Sequence, residues 1–199
     1  MLLACIIPFT QNHLFAQQWS IGPAVGLNFT TFAGDGITRN TYLPGFVAGG
    51  VINYSNIKDF GFSAKLLFSQ YGSEYELGNL KTRLNYIQIP FYAVYYFGDL
   101  EDYFRPKIFV GPYVSFLMSA NDTNGNDLDP NDTVFNSVDG GALAGVGFNY
   151  RMVRGVWLNL DLQYSLGLAD LNKTNVSSAY YNRGFGAMLG VAFSLTPEE

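Results

Sequence analysis

Apolar residues recur at every second position along most of this chain, in segments longer than ordinary β-strands. In the first segment, 19–31, the odd positions hold large apolar residues, whereas the even positions are small or polar. A period of two places these two sets on opposite faces of a strand. The segments have the roughly 9–11 residues that a tilted strand needs to cross a bilayer, whereas soluble strands average about 5–6. The alternation therefore predicts strands with one face in an apolar medium.

Eight segments carry this alternation, and long and short connections follow them in turn. Their ranges are 19–31, 45–55, 60–71, 82–97, 105–119, 137–151, 156–168 and 184–195. Long polar loops on one rim and tight turns on the other, with an even strand number, are typical of outer-membrane barrels. The prediction is an all-β fold, an eight-stranded antiparallel up-and-down transmembrane β-barrel with both termini periplasmic. Pro90 cannot donate a ladder hydrogen bond, so we expect a bulge or break there.

The second face of the segments distinguishes a membrane barrel from a soluble one. A soluble lipocalin-like barrel would carry an outer face rich in Lys and Glu, but here the less apolar face is mostly Gly, Ala, Ser and Asn. Charged residues make up only 14% of the chain, against about a quarter in soluble domains. After the N-terminus there is no run of about 18 apolar residues. We therefore expect a small, polar lumen, an outer face in contact with outer-membrane lipid, and integral outer-membrane localisation.

Aromatic residues concentrate at the predicted strand ends on the short-turn side. They are Trp19, Tyr54, Phe60, Phe62, Tyr95, Phe97, Tyr103, Phe104, Phe148, Tyr150 and Phe193. Aromatic side chains favour the membrane interface, where one edge is hydrated and the rest of the ring is apolar. The pattern predicts an interfacial girdle, the alternative being the core of a soluble sandwich.

The first sixteen residues are typical of an export signal. A short apolar run is followed by a polar stretch, and Leu14-Phe15-Ala16 before Gln17 provides a small-residue cleavage site. We predict a signal peptide over 1–16, cleavage between Ala16 and Gln17, and a barrel domain over 17–199. Leu2-Leu3-Ala4-Cys5 also resembles the acylation site of lipoproteins, which is the alternative interpretation of this segment.

The predicted mature chain lacks the side chains on which most catalytic sites depend. The single Cys, Cys5, and the single His, His13, both lie within the signal segment. The remainder therefore has no imidazole base, no thiol nucleophile and none of the usual transition-metal ligands. We expect neither enzymatic activity nor a cofactor. The net charge of −5 and the scattered Lys and Arg residues argue against nucleic acid as a partner.

The charged residues on the face predicted to line the lumen include Lys65, Lys107, Asp139 and Asp161, and Arg83, Arg105 and Arg151 lie nearer the strand ends. Buried charges need partners. We predict a lumenal polar network that joins the two lysines to the two aspartates, the alternative being that some of them lie at the hydrated rims.

The loop after the fifth segment alternates Asp and Asn and is a candidate calcium site. Asp122, Asn124, Asn126, Asp127 and Asp129 supply the kind of oxygen ligands that calcium prefers. The spacing imitates the start of an EF-hand loop, but Asp127 and Thr133 replace the sixth-position Gly and the twelfth-position Glu. A solvated surface loop without metal is the alternative.

Several segments resemble the PorT-type outer-membrane β-barrel family, although the N-terminus lacks the family's basic start. The segments that carry the resemblance are Leu84–Phe91, Gly111–Ser115, Asp139–Gly147 and Leu160–Leu168. The family's namesake is associated with an outer-membrane protein-secretion machine, but most members have no known activity, so this role is not carried over to the present chain. The prediction is a non-enzymatic barrel with a structural or accessory role in the envelope, and docking of secretion-system partners is one form that this role could take. The alternative is a binding module that captures a ligand, an ion or a surface through its extracellular loops.

Overall fold

The computed structural model is a single closed barrel of eight antiparallel strands in chain order. It describes residues 18–34, 40–55, 59–75, 80–99, 102–131, 133–174 and 179–195. The strands are β1 Gln18–Gly34, β2 Asn40–Ser55, β3 Phe60–Tyr75, β4 Leu80–Tyr96, β5 Phe104–Asn121, β6 Val138–Val153, β7 Val156–Gly167 and β8 Tyr180–Ser194. The predicted signal segment and the cleavage site at Ala16 and Gln17 lie outside the described residues.

Each strand pairs with the next along the chain, and β1 pairs with β8 to close the barrel. The predicted fold class is therefore confirmed. The tightest connection is Arg154-Gly155 between β6 and β7, where Gly155 has a φ of +75°. Glycine adopts this left-handed conformation without the steric cost that a Cβ would add. Within the described residues, no helix is long and apolar enough to cross a bilayer.

Seven of the eight strands are longer than the alternation predicted, mainly at the loop rim, and β7 is one residue shorter. β1 has 17 residues, which at about 3.3 Å per residue and a tilt of about 40° spans about 43 Å along the barrel axis. The apolar band of an outer-membrane barrel is only about 25 Å tall. Strand pairing therefore continues beyond the membrane and shortens the predicted loops 32–44 and 72–81 to 35–39 and 76–79. The predicted alternation in loop length is correspondingly weaker, and the longest connections are 122–137 and 168–179.

The outward face carries two levels of aromatic side chains. Near the short-turn rim, Trp19 packs against Tyr54 with the ring centroids 5.0 Å apart and the ring planes tilted by 56°. Further along the barrel, Phe29 pairs with Phe185, whose ring lies 4.9 Å from that of Tyr164. Ten residues of β1 separate the two levels, which corresponds to about 25 Å along the axis. This spacing matches the apolar band between the aromatic girdles of an outer-membrane barrel.

The inward-facing side chains differ in size from strand to strand. The predicted small, polar lumen describes β1 and β6, whereas β4 contributes large buried residues. Those of β4 are Leu84, Tyr86, Gln88, Pro90, Tyr92, Val94 and Tyr96. Glycines elsewhere provide space for the large rings, since a Cβ on Gly145 would lie 2.5 Å from Cζ of Phe109. Large and small walls together fill the interior.

The strand ladder near Pro90 is interrupted without a change of register. Between β3 and β4, the pairs on either side of Pro90 keep the same register, although Pro90 itself has no β3 partner. The bulge between β4 and β5 lies elsewhere, at Met118, where the register shifts between Asn85 and Tyr86. The predicted disturbance is therefore a local gap at Pro90, and the expected bulge is several residues away.

Candidate functional site in the lumen and loops

Three of the four predicted lumenal charges meet in the barrel interior. Nζ of Lys65, from β3, lies 2.9 Å from Oδ2 of Asp161 in β7. Nζ of Lys107, from β5, lies 2.8 Å from the other carboxylate oxygen. All three residues are buried. Asp161 is opposite Gly147 of β6, where a Cβ would lie only 2.7 Å from Oδ1 of Asp161, so the glycine provides space for the carboxylate.

The triad has two cations and one anion, and aromatic rings surround its surplus positive charge. The ammonium of Lys65 lies 5.1 Å from the ring centroid of Tyr92, and that of Lys107 lies 6.0 Å from that of Phe109. Ring faces attract cations at such distances. The hydroxyl of Tyr92 donates to Oε1 of Gln163 at 3.0 Å, which holds the ring in place. The arrangement ties β3, β4, β5 and β7 together across the lumen.

The fourth charge, Asp139, does not join this network, contrary to the prediction. Its Oδ2 accepts a 2.8 Å hydrogen bond from Nδ2 of Asn182 in β8. The reason is axial distance, because Asp139 precedes Gly147, the partner of Asp161, by eight residues of β6. Eight residues correspond to about 26 Å along a strand. The alternating pattern predicts whether a side chain points to the lumen or to lipid. It does not predict the position of the residue along the barrel axis, which depends on strand register.

Apolar and cationic side chains close the two ends of the lumen. At the loop end, the buried residues form a cluster, here called the plug: Phe32, Tyr71, Leu84, Tyr86, Ala120 and Leu171. Leu171 comes from the β7–β8 loop, so this loop folds back over the barrel mouth. At the other end, Arg105 is 2% exposed and its guanidinium carbon lies 4.4 Å from the ring centroid of Tyr96. The lumen is thus a packed core at both ends.

The candidate calcium loop uses its carboxylates to hold its own turns. Oδ1 of Asp122 accepts hydrogen bonds from the backbone N–H groups of Asn124 and Asn126 at 2.7 and 2.9 Å. The Asn126 side chain donates to the other oxygen, and these bonds lower the pKa of the Asp122 carboxyl. Asp129 accepts backbone bonds from Thr133, Val134 and Phe135, and Asp127 accepts one from the N–H of Asp129. The described residues contain no group of three acidic, His or Cys side chains arranged to hold a metal.

The two longest loops pair with each other at the loop rim. The backbone N–H of Asn136 donates to the Leu171 carbonyl at 2.9 Å, and its side chain donates to the Asp170 carbonyl at 2.8 Å. An antiparallel bridge joins Phe135 to Asn172. This loop platform, formed by residues 134–136 and 170–173, was not predicted because neither loop has a periodic pattern. The only signal was composition, namely Asn and Asp side chains that satisfy nearby backbone groups.

A groove of about 410 Å³ crosses the outward face on the short-turn side of the barrel. Ala64, Ala93 and Gly111 are the small residues of its lining, and the aromatic rings of Trp19 and Phe62 flank them. Nearby, the pairing of β4 with β5 is interrupted between Pro90 and Ala93. The groove therefore combines small residues with an irregular sheet. The alternation in the sequence does not predict this groove, because its lining residues lie on five strands, β1 to β5.

Comparison with known proteins places this architecture in a family. The closed barrel resembles OprG from Pseudomonas aeruginosa, with a TM-score of 0.59, 12% identity, and coverage of 92% of this chain and 97% of that chain. It also resembles Neisserial surface protein A, with a TM-score of 0.54, 17% identity, and coverage of 88% and 96%. These likenesses concern the fold alone. A search of curated proteins finds no significant match. The family described as outer membrane protein beta-barrel domain matches residues 15–173, and the chain therefore belongs to this outer-membrane β-barrel family.

Proposed function

We propose that this protein is a non-enzymatic, structural or accessory barrel of the outer membrane that docks a partner protein of the envelope. The observation that carries the proposal is the packed lumen. The Lys65–Asp161–Lys107 triad spans the interior, the plug fills the loop end, and Arg105 fills the other end. An eight-stranded barrel encloses room for side chains but no open channel. We therefore place the binding of a partner on the outer surface of the barrel and not in its lumen.

The outward groove supports docking within the membrane. A barrel that only anchors itself needs an even apolar face, whereas this one has small residues at Ala64 and Ala93 beside the exposed ring of Phe62. In membranes, small residues let another backbone approach closely. The resemblance to the PorT-type family supports a partner that belongs to a secretion system. The proposed signal peptide over 1–16 and periplasmic termini agree with a barrel that is inserted from the periplasm.

The loop platform supports a second function, capture of a ligand or surface outside the cell. Its loops are held by hydrogen bonds between Asn136 and both Asp170 and Leu171, so the surface is ordered before binding. Preorganisation of this kind lowers the entropic cost of association. The ordered surface is what distinguishes this alternative from a simple solvated loop.

Site-specific photo-crosslinking in living cells separates the two functions. A photoreactive amino acid is placed at Phe62 beside the groove or at Val134 on the platform. We expect a protein adduct of defined mass from position 62, and we expect its loss when Ala93→Trp fills the groove. Adducts from position 134 alone would favour loop-based capture, and the absence of protein adducts at both positions would contradict docking. Heat-dependent gel mobility of each variant checks that the barrel has folded.

A further inference from the structure

The upper lumen holds a second polar cluster that the triad does not reach. Its members are Tyr86 of β4, Tyr113 and Ser115 of β5, Asp139 of β6 and Asn182 of β8, and each is at most 4% exposed. Ser115 is directly opposite Asp139 in the β5–β6 register. The ring of Tyr113 lies over Gly141, because a Cβ there would lie 2.8 Å from Cε1 of the tyrosine. Ser115 and Asn182 therefore lie beside Asp139, and Tyr113 lies two residues from Ser115 along β5.

One oxygen atom on each of these five side chains is buried without a hydrogen-bond partner. They are the hydroxyls of Tyr86, Tyr113 and Ser115, Oδ1 of Asp139 and Oδ1 of Asn182. The amide orientation of Asn182 is fixed, because its Nδ2 donates to the other oxygen of Asp139 at 2.8 Å. Its carbonyl oxygen faces the Tyr86 hydroxyl but makes no hydrogen bond of regular geometry. Buried polar atoms are nearly always satisfied in folded proteins, so these oxygens call for a partner from outside the chain, either water or an ion.

The ligand must also balance one negative charge. No Lys or Arg among the described residues forms an ion pair with Asp139. An ionisable residue buried inside a membrane-spanning barrel without an opposite charge beside it is a candidate functional residue. Carboxylate, amide and hydroxyl oxygens are ligands for hard cations. With a single carboxylate, a monovalent cation gives exact charge balance, whereas a divalent cation would leave a surplus positive charge.

We propose that Asp139, Asn182, Ser115, Tyr86 and Tyr113 form a binding site for one monovalent hard cation at the inner end of the plug, to which Tyr86 also belongs. The site forms because β7 ends at Gly167, two pairs short of Asp139, so that Asn182 of β8 contacts β6 directly. The bound cation would link β4, β5, β6 and β8 at the loop end. Nearer the short-turn rim, the triad joins strands in the same way, but through ion pairs between protein side chains alone. The site is independent of the proposed docking function.

The test is the stability of the refolded barrel in detergent micelles as the cation is varied at constant ionic strength. Sodium chloride is titrated against N-methyl-D-glucamine chloride, with potassium and calcium chlorides as further arms. The folding equilibrium constant should rise about tenfold for each tenfold increase in sodium or potassium above the dissociation constant. Equal stability in all salts, as expected for water or a protonated carboxyl, would overturn the proposal, and so would a response to calcium alone.

Two matched variants locate the effect. Asp139→Asn removes the only carboxylate of the cluster and should abolish the dependence on the monovalent cation. Asp122→Asn removes one carboxylate from the exposed loop and should leave the dependence unchanged. If Asp139→Asn does not fold, the wild-type titration still decides whether a cation binds, and Ser115→Ala provides a milder change that should weaken the response. A cation response that Asp122→Asn removes would place the site in the loop instead and contradict the proposal.

Discussion

The surplus charge of the lumenal triad determines how its residues respond to substitution. Asp161→Asn leaves Lys65 and Lys107 buried without an anion, and the loss of one partner from a buried ion pair costs about 3–5 kcal/mol. Lys65→Met instead leaves a neutral Lys107–Asp161 pair at 2.8 Å, so we expect a clearly smaller loss. Urea unfolding in lipid vesicles, followed by the fluorescence of Trp19 and Trp157, measures both. Equal losses from the two variants would mean that charge pairing does not stabilise this lumen.

Glycine positions in the lumen are equally sensitive to size. A Cβ on Gly145 would meet Phe109 at 2.5 Å and approach the Leu162 carbonyl even more closely. We expect Gly145→Ala to destabilise the barrel by about 1–3 kcal/mol, as overpacking typically does. Gly50→Ala is the control, since its nearest neighbour would be the Gly22 carbonyl oxygen at 3.9 Å, and its effect should stay within about 0.5 kcal/mol. The same unfolding assay compares them, and a tolerated Gly145→Ala would refute the tight packing.

For single residues, the sequence predicts whether a side chain faces the lumen or lipid better than it predicts which residues that side chain contacts. Alternation placed Lys65, Lys107 and Asp161 on the inward face, because side-chain direction follows the period of two. It did not separate Asp139 from them, since height in the barrel depends on the shear between strands. The alternation also did not predict the large inward residues of β4, such as Tyr92, because both faces of that strand are apolar.

At the scale of the strand, the cost of a charge on the outward face should depend on its depth. Val25 is exposed on the lipid face of β1 midway between the two aromatic levels. We expect Val25→Arg to destabilise the barrel by about 2–4 kcal/mol. Leu195 lies beside Trp19 at the short-turn rim, so Leu195→Arg should cost about 0–1 kcal/mol. Vesicle unfolding titrations test the difference, and similar costs at the two positions would contradict the assigned membrane depth.

Strand existence was predictable and strand length was not. The eight segments correspond to the eight strands because one face of each is in lipid, which imposes alternation. Outside the membrane this constraint disappears, so the extensions at Asn40–Leu43 and Gly72–Tyr75 carry no clear pattern although they pair in the barrel. The pairing of Asn136 with Leu171 depends on contacts between loops that are distant in sequence. The residue pattern within one segment contains no information about contacts between distant loops.

At the scale of the whole molecule, the two rims of the packed barrel differ, and this difference indicates how the barrel is oriented across the membrane. The short-turn rim carries Arg154-Gly155 and the ends of β1 and β8, whereas the opposite rim carries the plug and the loop platform. Bacterial outer-membrane barrels place short turns in the periplasm and long loops outside. The proposed orientation therefore puts the platform at the cell surface and both termini in the periplasm.

Single cysteines test this orientation directly, because the proposed mature chain has no thiol of its own. Asn124→Cys introduces one in the exposed loop after β5, and Arg154→Cys introduces one in the β6–β7 turn. A membrane-impermeant maleimide added to intact cells should label position 124, and it should label position 154 only after the outer membrane is permeabilised. The opposite pattern would invert the barrel and move the loop platform to the periplasm. In that case the platform would face envelope proteins, and extracellular capture would lose its structural basis.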